Sequence, residues 1–178
     1  MGTTTKPSNG VIILGSARSD GNTAAIAQQL SADLQWPIFN LLDYQIEPYS
    51  YQHDYTNEDF QHLIEELHNY ETWVFATPVY WYAMSSTMKV FLDRFTDLLK
   101  IHKDLGRQLR GKNMAVITSS NGGNLGDDFF IPFRASAEYL GMNYLAEGHT
   151  LQGVDNGATL EGFREKLRSY SEAEKQNG

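Results

Sequence analysis

Five short apolar segments recur along the 178-residue chain, and segments with helical periodicity separate them. Each apolar segment has four or five residues, a length that suits a strand buried on both faces of a sheet. The predicted strands are Val11–Leu14, Ile38–Leu42, Trp73–Ala76, Met114–Thr118 and Met142–Ala146.

Apolar residues between these strands recur at the spacing of a helix. The clearest set occupies positions i, i+3, i+4 and i+7 and predicts an amphipathic helix with Phe60, Leu63, Ile64 and Leu67 on one face. The other predicted helices begin after Asn22-Thr23, span Met84 to Leu99, run from near Pro132 to Leu140, and cover Leu160 to Tyr170.

Strands that alternate with helices predict an α/β three-layer sandwich with a five-stranded parallel sheet. The commonest doubly wound order for five strands is 2-1-3-4-5. Ligands in such a sheet bind beyond the carboxyl ends of the strands, at the switch point between strands 1 and 3. The loops after strands 1, 3 and 4 are therefore the candidates for a functional site.

The helix predicted over Met84 to Leu99 carries a broad apolar stripe, which Val90 and Leu92 widen beyond one core contact. One interpretation is that part of this helix meets a partner subunit. The other is that the whole helix is buried in its own domain. The sequence does not choose between them.

Composition limits the partners and cofactors that we expect. The formal net charge of -8 disfavours nucleic acid, because phosphate backbones attract basic surfaces. The sequence contains no cysteine, which excludes disulfides, thiolate nucleophiles and iron–sulfur clusters. Residues 1–10 lack the apolar core of a signal peptide, and no apolar segment has the length of a membrane span. We expect a flexible lead-in over residues 1–10, a single domain over residues 11–174 and a cytoplasmic location.

The first candidate loop connects Leu14 to the helix that begins near Asn22-Thr23. A strand, a polar loop and a helix start together favour an anion, because the first N–H groups of a helix lack partners and its dipole is positive there. Ser16, Asn22 and Thr23 offer further donors, and Arg18 offers a planar charged one. The loop contains neither Gly-Lys-Ser/Thr nor G-x-G-x-x-G, which excludes two common phosphate loops. The competing interpretation is that Asn22 or Thr23 simply caps the helix.

The other two candidate loops supply aromatic residues and glycines. Tyr80, Trp81 and Tyr82 follow the third strand in a row, and exposed rings suit stacking on a flat ligand. At least one of these rings is expected to cover the sheet edge instead. Gly122-Gly123 after the fourth strand lets a backbone pass close to a ligand, although a plain turn explains the pair as well. Together the three loops favour a flat mononucleotide, and flavin mononucleotide (FMN) fits.

These segments carry a family resemblance. GSARSDGNT, residues 15–23, resembles the flavin-phosphate loop G-S-x-R-x-x-G-N-T of NADPH-dependent FMN reductases and multimeric flavodoxins. TPVYWYAMSSTMKVFLDR, residues 77–94, resembles their second flavin loop and the helix after it, T-P-x-Y-x-x-x-x-S-x-x-M-K-x-F-x-D-R. SSNGGN, residues 119–124, resembles the third flavin loop only in its small residues and glycine pair. The resemblance implies a flavodoxin-like fold with FMN as cofactor, and the absence of cysteine excludes the related iron–sulfur flavoproteins.

The resemblance also implies which residues bind FMN. The phosphate is expected against the first loop and the isoalloxazine ring against the second, with the third loop closing the other side. The full set is Ser16, Arg18, Gly21, Asn22, Thr23, Pro78, Val79, Tyr80, Trp81, Tyr82, Ser119, Asn121, Gly122 and Gly123.

The function implied by the resemblance is hydride transfer from NADPH or NADH to FMN, and then to a quinone, an azo or nitro aromatic, or free flavin. No side chain is assigned a catalytic role, because the flavin carries the chemistry. The alternative is a flavodoxin-type one-electron carrier without a substrate of its own. Similar proteins are often oligomers, so we expect a homodimer or homotetramer with a small-molecule electron acceptor.

Three further features have no single interpretation. Arg107, Arg110 and Lys112 either contact the 2′-phosphate of NADPH or form a solvated basic turn. The loop from Tyr44 to Tyr55 is long enough to cover the active site of this subunit or of a neighbour. The five histidines show no metal-ligand spacing, so no metal site is expected and each is predicted to be solvated or hydrogen-bonded.

Overall fold

The computed structural model describes the backbone of residues 10–177 and the side chains of residues 10–170. Its five strands form one parallel sheet in the predicted order, β2-β1-β3-β4-β5. The strands are β1 Gly10–Leu14, β2 Ile38–Asn40, β3 Thr72–Pro78, β4 Asn113–Ser120 and β5 Asn143–Leu151. The expected lead-in lies outside the described residues except for Gly10, which begins β1, and the domain extent of residues 11–174 stays a prediction.

The described part of the chain also contains seven α-helices and two 3₁₀ segments. The helices are α1 Asn22–Leu34, α2 Asp59–Leu67, α3 Ser86–Asp93, α4 Phe95–Lys100, α5 Lys103–Arg107, α6 Ile131–Leu140 and α7 Gly157–Asn177. The 3₁₀ segments are Leu41–Asp43 and Asp127–Phe130. None of the helices in residues 10–177 is both long and apolar enough to cross a membrane.

The sheet has an apolar core on each of its faces, because successive strand residues point to opposite sides. One core contains Ile13 and Phe75 with residues of α2, α3 and α6. The other contains Ile12 and Val74 with residues of α1 and α7. This arrangement is the predicted three-layer α/β sandwich, and burial on both faces explains why the central strands are continuous apolar segments.

The helix predicted over Met84 to Leu99 is in fact two helices, α3 and α4, that meet at Arg94. The amide of Asp97 bonds to the carbonyl of Arg94, three residues earlier, which tightens the turn between them. The Arg94 side chain turns inward there, and its Nε donates to the Asp97 carboxylate at 2.6 Å. Met88 and Phe91 are fully buried in the protein's own core, which favours the burial interpretation for this part of the stripe.

Four strands end at different residues than predicted. β3 and β4 each continue two residues further, to Pro78 and Ser120, because the two strands still pair there. β5 continues to Leu151 rather than ending at Ala146, because it is the edge strand and its burial alternates. Polar residues such as His149 therefore interrupt its apolar pattern. β2 ends at Asn40, whose side chain accepts a 3.1 Å hydrogen bond from the Leu42 amide and opens a 3₁₀ turn.

The carboxyl ends of β1, β3 and β4 lie side by side. Leu14 pairs with Ala76, and Pro78 pairs with Ser119, so the loops after these strands leave the sheet next to one another. The predicted convergence of the three candidate loops is therefore confirmed.

Candidate functional site

The loop after β1 leads into α1 through a glycine. Gly21 is the N-cap residue, so neither Asn22 nor Thr23 occupies the cap position. The first helical bond runs from the Ala25 amide to the Gly21 carbonyl at 3.0 Å. The interpretation in which Asn22 or Thr23 simply caps the helix is wrong, and the start of α1 presents N–H groups from which an anion can accept hydrogen bonds.

Gly15 fixes the beginning of the same loop. Its amide donates to the carbonyl of Ala76 on β3 at 2.8 Å. A Cβ at this position would lie 2.8 Å from Cε and 2.9 Å from Cβ of Met88, closer than non-bonded carbon atoms approach. Glycine therefore allows α3 to pack directly against the end of β1.

Ser85 ties the second loop to the first. Its hydroxyl donates to the carbonyl of Gly15 at 2.5 Å and accepts from the amide of Met88 at 3.1 Å, which caps α3. The Ser85 amide donates to Oγ1 of Thr77 at 3.0 Å. Ser85 was not predicted to have a role, although it belongs to residues 77–94, which carry the resemblance.

Thr23 on α1 and Ser119 at the end of β4 join the first and third loops. Their hydroxyl oxygens lie 2.5 Å apart, and both side chains are buried. Ser16 is also buried, whereas the Arg18 side chain is 70% exposed and its Nε lies 3.8 Å from Oδ1 of Asp20. An exposed ion pair of this kind contributes little stability, so the Arg18 guanidinium is available to a ligand.

A cleft of about 350 Å³ opens between the three loops. Ten of the fourteen predicted site residues line it: Ser16, Arg18, Gly21, Asn22, Thr23, Pro78, Val79, Tyr80, Ser119 and Asn121. Ser120 and Gln152 complete the lining. The structure therefore brings hydrogen-bond donors of the first loop, which suit a phosphate, together with residues of the second and third loops.

A second cleft of about 280 Å³ adjoins the first and shares Val79 and Ser120 with it. Three further predicted residues line this cleft, namely Trp81, Tyr82 and Gly122. Asn124 and Leu125 are also part of its wall. Gly123 is the one predicted residue that lines neither of these two clefts.

The three consecutive aromatic residues form a strained turn. Tyr80 and Ala83 exchange two backbone hydrogen bonds of 2.9 and 3.1 Å. Between them, Trp81 has a φ of 50° and Tyr82 a φ of 61°, the left-handed pair of a type I′ turn. Bulky residues adopt this conformation at a cost of about 1–2 kcal/mol each. All three rings are exposed, Trp81 to 95%, so the expectation that one of them covers the sheet edge is wrong.

A side-chain contact bridges the aromatic turn and the third loop. Nδ2 of Asn124 donates to the hydroxyl of Tyr82 at 3.1 Å. Neither Gly122 nor Gly123 has a positive φ, so the glycine pair does not serve a left-handed turn. A Cβ on Gly122 would lie 3.0 Å from Oδ1 of Asn124, which shows that the backbone is closely approached there.

Five residues at or beside the clefts were not predicted: Ser120, Asn124, Leu125, His149 and Gln152. The first two lie inside the segment SSNGGN, and its likeness to the third flavin loop is the signal that points to them. His149 and Gln152 lie beyond the predicted end of the last strand. They were missed because the alternating burial of an edge strand conceals where that strand ends.

The long loop after β2 lines neither cleft and packs against α4 instead. The buried carboxylate of Asp97 accepts from Nδ1 of His53 at 2.8 Å and from the hydroxyl of Tyr55 at 3.1 Å. The guanidinium of Arg94 lies 3.4 Å above the centre of the Tyr55 ring. These contacts hold the loop to the outside of the helices, so the structure does not support its role as a cover for the cleft of its own chain.

The basic residues before β4 lie at the other end of the sheet from the clefts. The buried Nζ of Lys112 donates to the carbonyls of His68 at 3.0 Å and Tyr70 at 2.8 Å. Arg107 donates to Asp104 at 2.7 Å within helix α5. Because the clefts lie at the carboxyl end of β4, the interpretation of these residues as contacts to a 2′-phosphate in the same chain is not supported.

Comparison with known proteins identifies the family. The sequence model of the NADPH-dependent FMN reductase family matches residues 9–153. The chain belongs to this family. The match includes all three candidate loops and confirms the resemblance that their motifs carry.

One relative of this chain is YwqN of Bacillus subtilis, which is named as an NAD(P)H-dependent FMN-containing oxidoreductase. The two are 31% identical over 114 residues, which are 60% of this chain. The aligned part spans 63% of the length of YwqN. Family and relative agree with the expectation of an FMN-dependent oxidoreductase that uses NADPH or NADH.

Solved structures share the fold of this family member. The Trp repressor binding protein of Bacillus subtilis has a TM-score of 0.65 at 23% identity, over 90% of this chain and 94% of that one. The NADPH-quinone reductase of P. pentosaceus has a TM-score of 0.63 at 16% identity, over 90% and 96%. The flavodoxin of Megasphaera elsdenii has a TM-score of 0.58 at 16% identity, over 88% and 96%. The fold is thus flavodoxin-like, as predicted.

Proposed function

We propose that this member of the NADPH-dependent FMN reductase family binds FMN in the two adjoining clefts and passes a hydride from NADPH or NADH to a small-molecule acceptor. The proposed acceptors are quinones, azo or nitro aromatics and free flavins. One observation carries the proposal: at the switch point of the sheet, the open helix start shares a cleft with the exposed Tyr80 ring, and the exposed Trp81 and Tyr82 rings line the cleft beside it. FMN, when bound, would supply the hydride-accepting ring, and the protein would bind and orient the reactants.

The start of α1 would hold the FMN phosphate. The N–H groups of the first helical turn and the hydroxyls of Ser16 and Thr23 offer donors of the kind that a phosphate requires. The Thr23 hydroxyl contacts Ser119 at 2.5 Å, and either hydroxyl can redirect its proton to a phosphate oxygen. Arg18 would add a charged donor from the exposed side.

The flavin ring would lie between the second and third loops. The amide of Val79 donates to the carbonyl of Ser119 at 3.0 Å, so the walls contributed by these loops have a fixed spacing at their base. The side chains of Val79 and Leu125 supply apolar surface, and Tyr82 supplies an aromatic one. Flat ligands are bound in this way, by apolar walls with a few polar groups that fix their orientation.

We further propose that the protein assembles as a homodimer or homotetramer. Trp81 is 95% exposed and Leu42 is 46% exposed, and exposed apolar surface of this kind is typical of subunit contacts. An apolar groove of about 280 Å³ runs between the loop after β2 and the start of α3. Light scattering of the purified protein at micromolar concentration would contradict the proposal if it gave the mass of one chain. The cytoplasmic location also stays a prediction.

A spectroscopic titration tests the proposed activity. The protein is loaded with FMN, freed of excess flavin and mixed without oxygen with NADPH or NADH while the visible absorbance is followed. We expect retained flavin that one nicotinamide bleaches rapidly, and candidate acceptors are then ranked by how fast they restore the absorbance. Retained flavin that only dithionite bleaches would indicate an electron carrier, and failure to retain flavin would overturn the cofactor assignment.

A further inference from the structure

Ser120 lies where the two clefts meet, because it lines both of them. It is the last residue of β4, and its hydroxyl donates to the carbonyl of Gly122 at 2.7 Å. This bond closes the turn that brings Gly122 into the wall of the second cleft. The position of that turn therefore shapes the wall that the clefts share.

His149 on β5 contacts the same hydroxyl, with its Nε2 2.6 Å from Oγ of Ser120. A serine hydroxyl has one proton, and that of Ser120 goes to the Gly122 carbonyl, which can only accept. Oγ of Ser120 is therefore the acceptor of the second bond, and Nε2 of His149 carries the proton. Burial lowers the pKa of His149, so the ring is neutral near pH 7 and its single proton lies on Nε2.

The backbone holds the imidazole and the hydroxyl in a fixed relationship. β4 and β5 pair in parallel with Thr118 opposite His149, and the Gln152 amide donates to the Ser120 carbonyl at 2.9 Å. His149 thus acts from a regular strand and not from a loop. It lines neither cleft, so its effect on a ligand must pass through Ser120.

We propose that His149 is a positioning residue of the FMN site, which fixes the Ser120–Gly122 turn beside the flavin ring by donating from Nε2 to Ser120. The inference rests on the proposed function and deepens it. With the donor removed, the Ser120 hydroxyl is free to rotate toward other acceptors, and the turn loses its fixed position. The consequence is weaker binding of FMN and a changed environment of its ring.

Four variants test the role: His149→Phe, which keeps a ring but no donor, His149→Gln, which can place an amide donor near Nε2, Ser120→Ala, and the Phe and Ala changes combined. FMN affinity is measured by quenching of flavin fluorescence, together with the visible spectrum of the bound flavin. Thermal unfolding of each flavin-free protein checks that the variants fold.

We expect His149→Phe to weaken FMN binding roughly threefold to tenfold, the value of one hydrogen bond, and to shift the visible spectrum of the bound flavin. The affinity of His149→Gln for FMN should stay within about twofold of that of the parent protein, because the amide of glutamine restores the donor. Ser120→Ala should weaken FMN binding by a similar factor. In the double variant, His149→Phe should weaken FMN binding by less than about twofold beyond Ser120→Ala alone, because both changes break the same chain of hydrogen bonds.

Equal affinity and an unchanged spectrum for His149→Phe would overturn the inference. So would an equal loss for the Gln and Phe variants, or losses of His149→Phe and Ser120→Ala that multiply. If the Phe variant does not fold, His149→Asn replaces it. The shorter side chain of asparagine cannot reach Ser120, so this variant must bind FMN more weakly than His149→Gln does. A parent protein that retains no FMN would overturn the proposed function as well, whereas retained FMN with indifferent His149 variants would overturn this inference alone.

Discussion

The hydroxyl of Ser85 donates a 2.5 Å hydrogen bond to the carbonyl of Gly15, a residue 70 positions earlier in the chain. The bond joins the loop after β3 to the loop after β1, the two loops that contribute most of the first cleft. The same hydroxyl caps α3 by accepting from the amide of Met88. One buried side chain therefore fixes two walls of the candidate site and the start of a helix.

Replacing this side chain has a predictable cost. Ser85→Ala removes the cap and leaves the Gly15 carbonyl without its donor, so we expect the free energy of unfolding to fall by about 1–3 kcal/mol. Urea denaturation measures the change. The matched control is Ser86→Ala, an exposed neighbour whose loss should stay within about 0.5 kcal/mol. Equal stability of the two variants would contradict the role assigned to Ser85.

Gly15→Ala tests the close approach of α3 to β1. The added methyl group meets both Cε and Cβ of Met88 at under 3 Å, so we expect a loss of about 1–3 kcal/mol in the free energy of unfolding. Gly162→Ala on α7 is the control, because a Cβ there meets nothing within 4 Å. That variant should be more stable by up to about 1 kcal/mol, the helix preference of alanine over glycine. A Gly15→Ala protein as stable as the parent would refute the packing argument.

Arg18→Ala tests the phosphate end of the proposed FMN site. We expect FMN to bind roughly threefold to tenfold more weakly, because an exposed charged donor is lost. Riboflavin, which has the same ring without the phosphate, should bind both proteins alike. Arg107→Ala removes an equally exposed charge at the far end of the sheet and should leave both affinities unchanged. The assignment fails if riboflavin binding weakens as much as FMN binding.

Asp97→Asn tests the anchor of the long loop after β2. The change leaves the buried Arg94 guanidinium without its counter-charge, and we expect a loss of about 3–5 kcal/mol in the free energy of unfolding. Chymotrypsin should also cleave the loop tyrosines sooner, since the single amide oxygen of Asn must replace both carboxylate oxygens and cannot accept from Arg94, His53 and Tyr55 as the carboxylate does. His62→Ala, on the exposed face of α2, should change neither property. A parent-like rate of cleavage in Asp97→Asn would argue against the anchor.

The stability of the protein should rise with pH between about 5.5 and 7.5. Burial, with a further contribution from the charge of Lys112, lowers the pKa of His68 below its usual value. The unfolded chain then binds more protons than the folded one in this range. The contribution of His68 to stability therefore approaches its full value as the pH rises past the unfolded pKa of about 6.5, and it is lost as the pH falls.

Urea denaturation across this pH range checks the prediction, and His68→Gln should give a flatter profile. Burial shifts the pKa of His149 in the same direction, so the variant with both histidines replaced should be flatter still. The carboxylates of Glu47 and Asp54 have lowered pKa values and titrate below this range, which keeps their contribution apart. An unchanged slope in His68→Gln would show that its titration is not linked to folding.

Local sequence patterns are sufficient to predict the sheet and the three loops of the site. β1, β3 and β4 are buried on both faces, and burial of that kind appears in the chain as a continuous apolar segment. The alternation of strands and helices then predicted the order of the sheet, and the order placed the three loops together. The short motifs in those loops predicted fourteen site residues, and thirteen of these line the clefts.

The contacts that hold the loops in place depend instead on the packing of distant parts of the chain. The bonds from Ser85 to Gly15, from Thr23 to Ser119 and from His149 to Ser120 join residues 70, 96 and 29 positions apart. A hydroxyl or imidazole has no periodic pattern that reveals its partner, because the partner is set by the packing of whole strands and helices. The exposed edge of β5 and the break between α3 and α4 were hidden for the same reason: each depends on a neighbour in space, which local hydrophobic patterning does not record.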